Sequence, residues 1–438
     1  MSKRNLILLA ILLFILALVA YVARAPRLEV TPEVPTGSNF FSNFFSNFPR
    51  IIRNENNGSV VNLDGKKIED GVVIENLSLR KVSSVPVAGF GILQKEVYSY
   101  VEAPTKEDLE GSEKENSKPT PPSTEYKNTV RYIAKANGNI YQSEAGEDDE
   151  RIYSTQTMPG IYEALVGNNG SAVIMRYLSP NTETIETFIR ELPTEALGAD
   201  VSTEGKISGN FLPQNVLDVS ISPDKNKLFY LTKVKDGVVG TVSLANGTDK
   251  TQIFDSPYTE WLSQWPKESL VTLTTKTASG IPGYMYAINP TLKDFNKIIG
   301  GINGLTTLTS PDGMKVLFSD DQLNISLLNI QTGDIKKLNI NSLVEKCVWS
   351  YDSRFLFCGI PQFKTFGTYP DAWYKGQVSF NDYIWQISVE NGESIMLANP
   401  AKLVGESIDL VKPMLSIDGT YLYFINKKSS FLWELRLR

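Results

Sequence analysis

Leu308-Thr309-Ser310-Pro311-Asp312-Gly313-Met314-Lys315-Val316-Leu317-Phe318 is the stretch that decides how this chain folds. An apolar run from Leu305 to Thr309 enters a four-residue turn, and a second run from Lys315 to Phe318 leaves it. The chemistry is that of a tight hairpin. Ser and Asp side chains bond nearby backbone groups, Pro presets φ, and Gly accepts positive φ. Relatives recur as Ser222-Pro223-Asp224-Lys225, Ser350-Tyr351-Asp352-Ser353 and Ser416-Ile417-Asp418-Gly419. Each leads into a run such as Leu228-Phe229-Tyr230-Leu231, Phe355-Leu356-Phe357 or Leu422-Tyr423-Phe424. The regular place of Asp224, Asp312, Asp352 and Asp418 marks them as turn-builders rather than acids or ligands.

The spacing sets the architecture. Ser222 to Ser310 is 88 residues, two units of 44, and Ser310 to Ser350 is 40. Ser350 to Ser416 is 66, one unit plus an insertion. A period of about 40–45 residues with four strands per unit is that of propeller blades. The skipped unit falls at Trp265-Pro266-Lys267-Glu268-Ser269, and Gly167-Asn168-Asn169-Gly170 reads as another hairpin. The expectation is an all-β, seven-bladed β-propeller with units near 84–157, 158–213, 214–256, 257–301, 302–341, 342–400 and 401–438. A six-bladed ring follows instead if 84–157 is not a blade. The last unit shows only three strands, so Leu77–Val82 is expected to complete it and close the ring.

The Ser-x-Asp-Gly hairpin with its following strand resembles the WD-repeat-like units of TolB-type bacterial propellers. The resemblance covers about 77–438 and is clearest at 222–232, 310–319, 350–358 and 416–425. It implies a fold rather than a job, because propellers host binding, scaffold and enzyme roles. Blades one, two and four lack the full motif, and TolB's own partners are not carried over.

The amino-terminal region reads differently. Leu6 to Ala23 is an unbroken apolar run after Lys3 and Arg4. Its length, roughly 27 Å as a helix, is close to a bilayer core. Pro26 directly after Ala23-Arg24-Ala25 hinders cleavage, so a retained single-pass anchor in the cytoplasmic membrane is expected, with the propeller on the extracytoplasmic side. Residues 24–76 read as a spacer. It carries a four-residue aromatic period in which Phe40, Phe41, Phe44, Phe45 and Phe48 share one helical face. That stripe can dock on a membrane or partner, pack on the main domain, or belong to a disordered tract. Glu102 to Glu125, rich in Glu, Lys, Ser and Pro, reads as a mobile loop.

Composition excludes much chemistry. The 438 residues hold no histidine, which removes Ser-His-Asp and Cys-His catalysis and histidine metal sites. Two cysteines alone cannot build a zinc site. There is no nucleophile elbow and no phosphate loop, and Gly300-Gly301-Ile302-Asn303-Gly304 reads as an inter-blade turn. Asp148-Asp149 and Asp320-Asp321 read as solvated loop charge. With a net charge of −6 and no basic stripe, nucleic acid is not expected as a partner. No catalytic residue, cofactor or metal is expected.

Two constellations remain. Cys347 and Cys358 flank a hairpin and face each other if paired residue numbers sum to 705. A sum of 704 puts them on opposite faces, so a disulfide and two buried thiols both stay open. The insertion Pro361 to Asp382 carries Phe363, Phe366, Tyr369, Trp373, Tyr374 and Phe380. It should join the second and third strands of its blade, on the face of the inter-blade loops. These rings form a candidate interaction surface, unless the loop hides them against its own blade. The resulting expectation is a non-catalytic envelope propeller that mediates protein–protein interaction with partners of unknown identity. A glycan-directed propeller, as lectin or two-carboxylate glycosidase, and an accessory part of a secretion or pilus assembly are the alternatives.

Overall fold

The computed structural model describes residues 78–99, 123–155, 158–179, 184–193, 195 and 208–437, with two short paired strands, Ile52–Arg53 and Val60–Val61. The apolar run Leu6–Ala23, the aromatic period at 38–48 and positions 102–122 of the polar interruption lie outside the described residues. Among the described residues, no helix is long and apolar enough to cross a membrane.

Seven four-stranded antiparallel sheets follow one another along the chain. Six of them take their strands consecutively. Blade 1 begins with Val87–Tyr98, blade 2 with Ile161–Gly167, blade 3 with Val216–Ile221 and blade 4 with Trp261–Lys267. Blade 5 begins with Thr306–Thr309, blade 6 with Cys347–Trp349 and blade 7 with Leu410–Leu415. Blade 7 draws its fourth strand from the start of the domain: Leu79–Lys81 pairs with Leu432–Arg436, Arg80 opposite Glu434.

First strands form the inner ring, because they meet across blade boundaries. Ser263 on blade 4 donates its backbone N–H (2.5 Å) and hydroxyl (2.8 Å) to Asp218 on blade 3. Lys412 of blade 7 reaches Glu163 of blade 2 at 3.1 Å, past blade 1. Glycine permits one close approach: a Cβ on Gly89 would lie 1.9 Å from the Ala164 carbonyl oxygen.

Core clusters lie between neighbouring blades. Phe357, Ile384 and Leu397 of blade 6 pack with Leu422, Phe424 and Trp433 of blade 7. Leu317 and Leu327 of blade 5 pack with Trp349, Leu356 and Ile387 of blade 6. Second strands are therefore covered on both faces. That is why they read as continuous apolar runs, Leu228–Leu231 or Leu422–Ile425, and not as alternation.

All four Ser-x-Asp turns share one hydrogen-bond pattern. In blade 5, the Ser310 hydroxyl donates to Asp312 and accepts from the Lys315 N–H (2.9 Å), while Met314 N–H donates to Asp312 (2.9 Å). Ser222, Ser350 and Ser416 repeat it. The last turn residue is left-handed in each: Lys225, Gly313, Ser353 and Gly419. The non-glycine pair makes cross-blade bonds there, Lys225 Nζ to Ile92 O (2.6 Å) and Asp312 N–H to Ser353 Oγ (3.1 Å). Partial burial works to raise Asp418, but bonds from Ser416, Thr420 and Asn128 bring it down to about 2.

Three local readings change. Gly300 to Asn303 belong to the last strand of blade 4, Phe295–Asn303, and only Gly304 falls in the turn. The first hairpin of blade 1 is longer than its apolar part. Val87–Tyr98 pairs with Thr124–Ala134, so Glu125 is in a strand, and the backbone ladder continues where the side chains turn polar. Asp320 and Asp321 are structural: Asp320 accepts from Gln322 and Asn324 N–H, and Asp321 from Gly280 N–H of blade 4.

Cys347 and Cys358 lie directly opposite each other, with Val348 opposite Phe357, and form a buried disulfide with 4.1 Å between Cα atoms. It closes a short loop, with a sequence separation of 11. Replacing both by alanine should lower stability by about 2–3 kcal/mol through the loop entropy restored to the unfolded chain. Urea unfolding of the oxidised protein and the double variant measures this; coincident midpoints would refute it.

Candidate interaction site on the inter-blade face

In an antiparallel blade, the loops between second and third strands share a face with the inter-blade loops. The Ser-x-Asp turns lie on the opposite face. The insertion in blade 6 leaves Phe355–Pro361 and returns at Asp382–Ser388, so it rises on the inter-blade face. It contains one short helix, α1 (Asp371–Tyr374).

Its base is built on a buried charge. Lys346, in the segment between blades 5 and 6, has no exposed side-chain surface. It pairs with Asp382 at 2.7 Å and with Asp409, which lies just before blade 7. Asp409 also accepts from Trp373 Nε1 at 3.1 Å, Ser379 Oγ at 2.9 Å and Phe380 N–H at 3.0 Å. Asp382 accepts from Leu410 N–H at 2.7 Å. The lysine ammonium lies 5.3 Å from the Trp373 ring centre and 5.2 Å from that of Phe380.

The two carboxylates differ electrostatically. Burial pushes Asp382 up to about 6, against the pull of Lys346 and with the help of the Asp409 charge. Burial acts upward on Asp409 too, but Lys346 and the converging donors prevail and hold it below its usual range. One lysine thus serves two buried carboxylates, and the less well solvated one is pushed toward neutrality.

A pH dependence follows. A group that binds protons more tightly when folded stabilises the fold below its unfolded pKa. That contribution is lost as pH rises through its folded pKa. For Asp382 the window runs from about pH 4 to about 6. Asp382→Asn, which retains an acceptor for Leu410 N–H and removes one buried charge, should be neutral or stabilising at pH 7. It should also flatten the decline in stability between about pH 4 and 6.5. Urea midpoints of both proteins across that range provide the check; a destabilised variant with an unchanged pH slope would contradict it.

The insertion reaches beyond its own blade. Asp371 accepts from Ser279 N–H of blade 4 at 2.6 Å. Lys364 donates to the backbone (3.0 Å) and side chain (3.3 Å) of Gln322 in blade 5. Tyr374 donates to Glu345, whose carboxyl is pushed up by burial.

The six insertion rings therefore divide. Tyr369, Trp373 and Phe380 are not surface groups: they are buried with Leu323, Leu343 and Val378. Their polar atoms have internal partners, Asp409 for Trp373 and the Thr365 carbonyl for Tyr369, so burial costs them no hydrogen bond. Phe363 and Phe366 remain outside at 71% and 101% exposure, and Tyr374 is at 38%. The carboxylates at the base share Lys346 and are buried, so neither is displayed beside these rings. Lys346, Asp382 and Asp409 carry no sequence pattern that singles them out; the nearest signal is a lysine placed between the apolar Leu343-Val344 and Cys347.

No protein-family model matches this chain, and no curated protein matches it. Among solved structures, the chain is similar to the tricorn protease at 15% identity and a TM-score of 0.34. The match covers 68% of this chain and 27% of that one, so this chain spans about a quarter of that protein's length.

Proposed function

We propose that this chain is a non-catalytic, membrane-anchored propeller that holds a protein partner in the cell envelope through its blade 6 insertion. The observation that carries this reading is the pairing of a rigid base with exposed rings. The base is fixed by Lys346, Asp382 and Asp409 and by bonds to blades 4 and 5, while the Phe366 ring is fully exposed and Phe363 lies largely exposed nearby. Covering an exposed phenylalanine is worth about 1.5–3 kcal/mol, and a pre-ordered loop loses little entropy on docking. The buried disulfide supports an oxidising, extracytoplasmic compartment. The run Leu6–Ala23 supports an anchor.

A photo-crosslinking phenylalanine analogue at position 366, in native membranes, should give a discrete protein adduct. The same group at Ile395, exposed on an outer strand, should give none. Equal labelling from both positions, or none from 366, would count against the proposal.

A further inference from the structure

The first hairpin of blade 1 continues past its own blade. The third strand of that blade, Ile140–Glu144, pairs with the second only as far as Thr129. The ladder between Val87–Tyr98 and Thr124–Ala134 runs on from there, from Gln94 opposite Asn128 to Tyr98 opposite Thr124. At about 3.3 Å per residue, this two-stranded ribbon projects roughly 15 Å beyond the third strand, on the face of the Ser-x-Asp turns. In the other six blades the third strand pairs to within one residue of the point where the first hairpin closes, as at Lys315 and Val316 of blade 5.

The direction of the ribbon's backbone groups is fixed at both ends. The Ser123 carbonyl accepts from Ser99 N–H at 2.8 Å, toward the first strand, and the Asn128 carbonyl accepts from Ala145 N–H at 2.9 Å, on the opposite side. Successive residues of a strand turn these groups to alternate sides. Glu125 and Lys127 therefore bond the first strand, while Thr124 and Tyr126 aim their N–H and C=O outward. No strand of the described residues pairs with that edge. Exposed edges are ordinarily blunted by a proline, a bulge or a free lysine. Here residues 124–128 contain no proline, their ladder has no bulge, and Lys127 is drawn to Glu144 and Glu147 at 3.4 and 3.1 Å.

Side chains decide what this edge can take. Tyr126 is 68% exposed, Tyr98 on the same face is 45% exposed, and Glu125 is exposed on the other face. A second copy of this chain fits poorly. Antiparallel self-pairing that joins Thr124 to Tyr126 of the other copy sets the two Glu125 side chains directly opposite each other, a repulsive pair. Setting Tyr126 opposite its own copy relieves this, but it places Thr124 opposite Asn128, whose carbonyl is already engaged by Ala145.

We infer that the edge at Thr124 and Tyr126 is a docking site for an extended segment of a partner protein, which adds to the ribbon as a further strand. Main-chain bonds to Thr124 and Tyr126 hold the segment, and alternate side chains select it. An antiparallel segment places β-branched residues opposite Tyr126 and Thr124 and a basic residue opposite Glu125. This edge is on the other face from the insertion and does not depend on what the insertion binds.

The test follows residue-resolved amide exchange in the full chain, with the probe acetyl-Glu-Val-Lys-Val-amide, whose valines meet Tyr126 and Thr124. In the free chain Tyr126 N–H should exchange faster than Glu125 and Lys127 N–H, which bond the first strand. With a Kd of about 1 mM, about 10 mM probe should slow exchange at Tyr126 by about tenfold and leave Lys127 little changed. A probe N-methylated at both valines, which blocks the joining edge, should give no slowing. Tyr126→Pro removes an outward N–H without costing a ladder bond. It should keep the melting temperature and lose the probe's effect at Thr124. The methylated probe decides the matter even where this variant does not fold. Protection of Tyr126 equal to that of its neighbours in the free chain, no slowing by the probe, equal slowing by the methylated probe, or an undiminished effect at Thr124 in folded Tyr126→Pro would each overturn the inference.

Discussion

Replacing Lys346 by methionine should destabilise the chain by about 3–5 kcal/mol at neutral pH, the cost of removing one partner from a buried ion pair. Methionine keeps most of the side-chain volume, so a packing defect is not the main term. What is lost is the charge that serves Asp382 and Asp409 together. Without it, two neighbouring carboxylates are buried, and at least one must take up a proton. The penalty should therefore shrink as the pH is lowered from about 7 to 5, whereas the cost of an uncharged core defect would not change with pH. The damage should also be local first. Trp373 and Phe380 lose the cation at their faces, and the segment around α1 loses the group that organises Asp409. Amide hydrogen exchange at 371–380 should accelerate before the blades themselves open. A variant with unchanged urea midpoint and unchanged exchange there would show that the triad is energetically idle.

The seven-bladed fold and this triad differ in how much of each is legible in the sequence. The Ser-x-Asp turn is recognisable because its bonds join residues at most five apart, Ser310 to Lys315 for instance. The second strands are recognisable because neighbouring blades cover both faces, which produces runs such as Phe355-Leu356-Phe357. The repeat of these two local signals is sufficient for the propeller. The triad has no such local expression. Lys346 and Asp409 are 63 residues apart and meet only because blades 6 and 7 are adjacent. The insertion is intermediate. Composition marks it as aromatic, but which rings are hidden depends on groups elsewhere: Trp373 is buried where Asp409 accepts its N–H and Phe380 is buried beside the Lys346 ammonium, while Phe366 is fully exposed.

Ring closure carries the other large effect. A chain lacking residues 78–83 should lose about 5 kcal/mol or more, or fail to persist as a folded monomer. Three contributions go together. Leu79 leaves the core cluster it shares with Leu422, Phe424 and Leu435. The backbone bonds from Val82 N–H to Leu432 O (2.8 Å) and from Arg436 N–H to Ser78 O (2.9 Å) are lost, which opens the edge of Leu432–Arg436. Open edges of this kind recruit other chains. The third contribution is Arg80, whose guanidinium makes a two-pronged contact with Glu434 at 3.0 and 3.3 Å. Glu434 is 2% exposed and also accepts from Gly146 N–H at 3.0 Å, so this pair links blade 7 to blade 1 as well as strand to strand. Arg80 itself donates to the Glu144 carbonyl of blade 1 at 3.3 Å. Arg80→Met separates the contributions. It keeps the strand and strands the carboxylate, and should cost about 2–4 kcal/mol without promoting association, because the edge stays covered. Urea unfolding combined with sedimentation distinguishes the two. If closure rests on the strand's edge-covering role, the deletion associates and Arg80→Met does not. If deletion and point variant cost the same and both stay monomeric, closure rests on the Arg80–Glu434 pair alone, and the strand's backbone is dispensable.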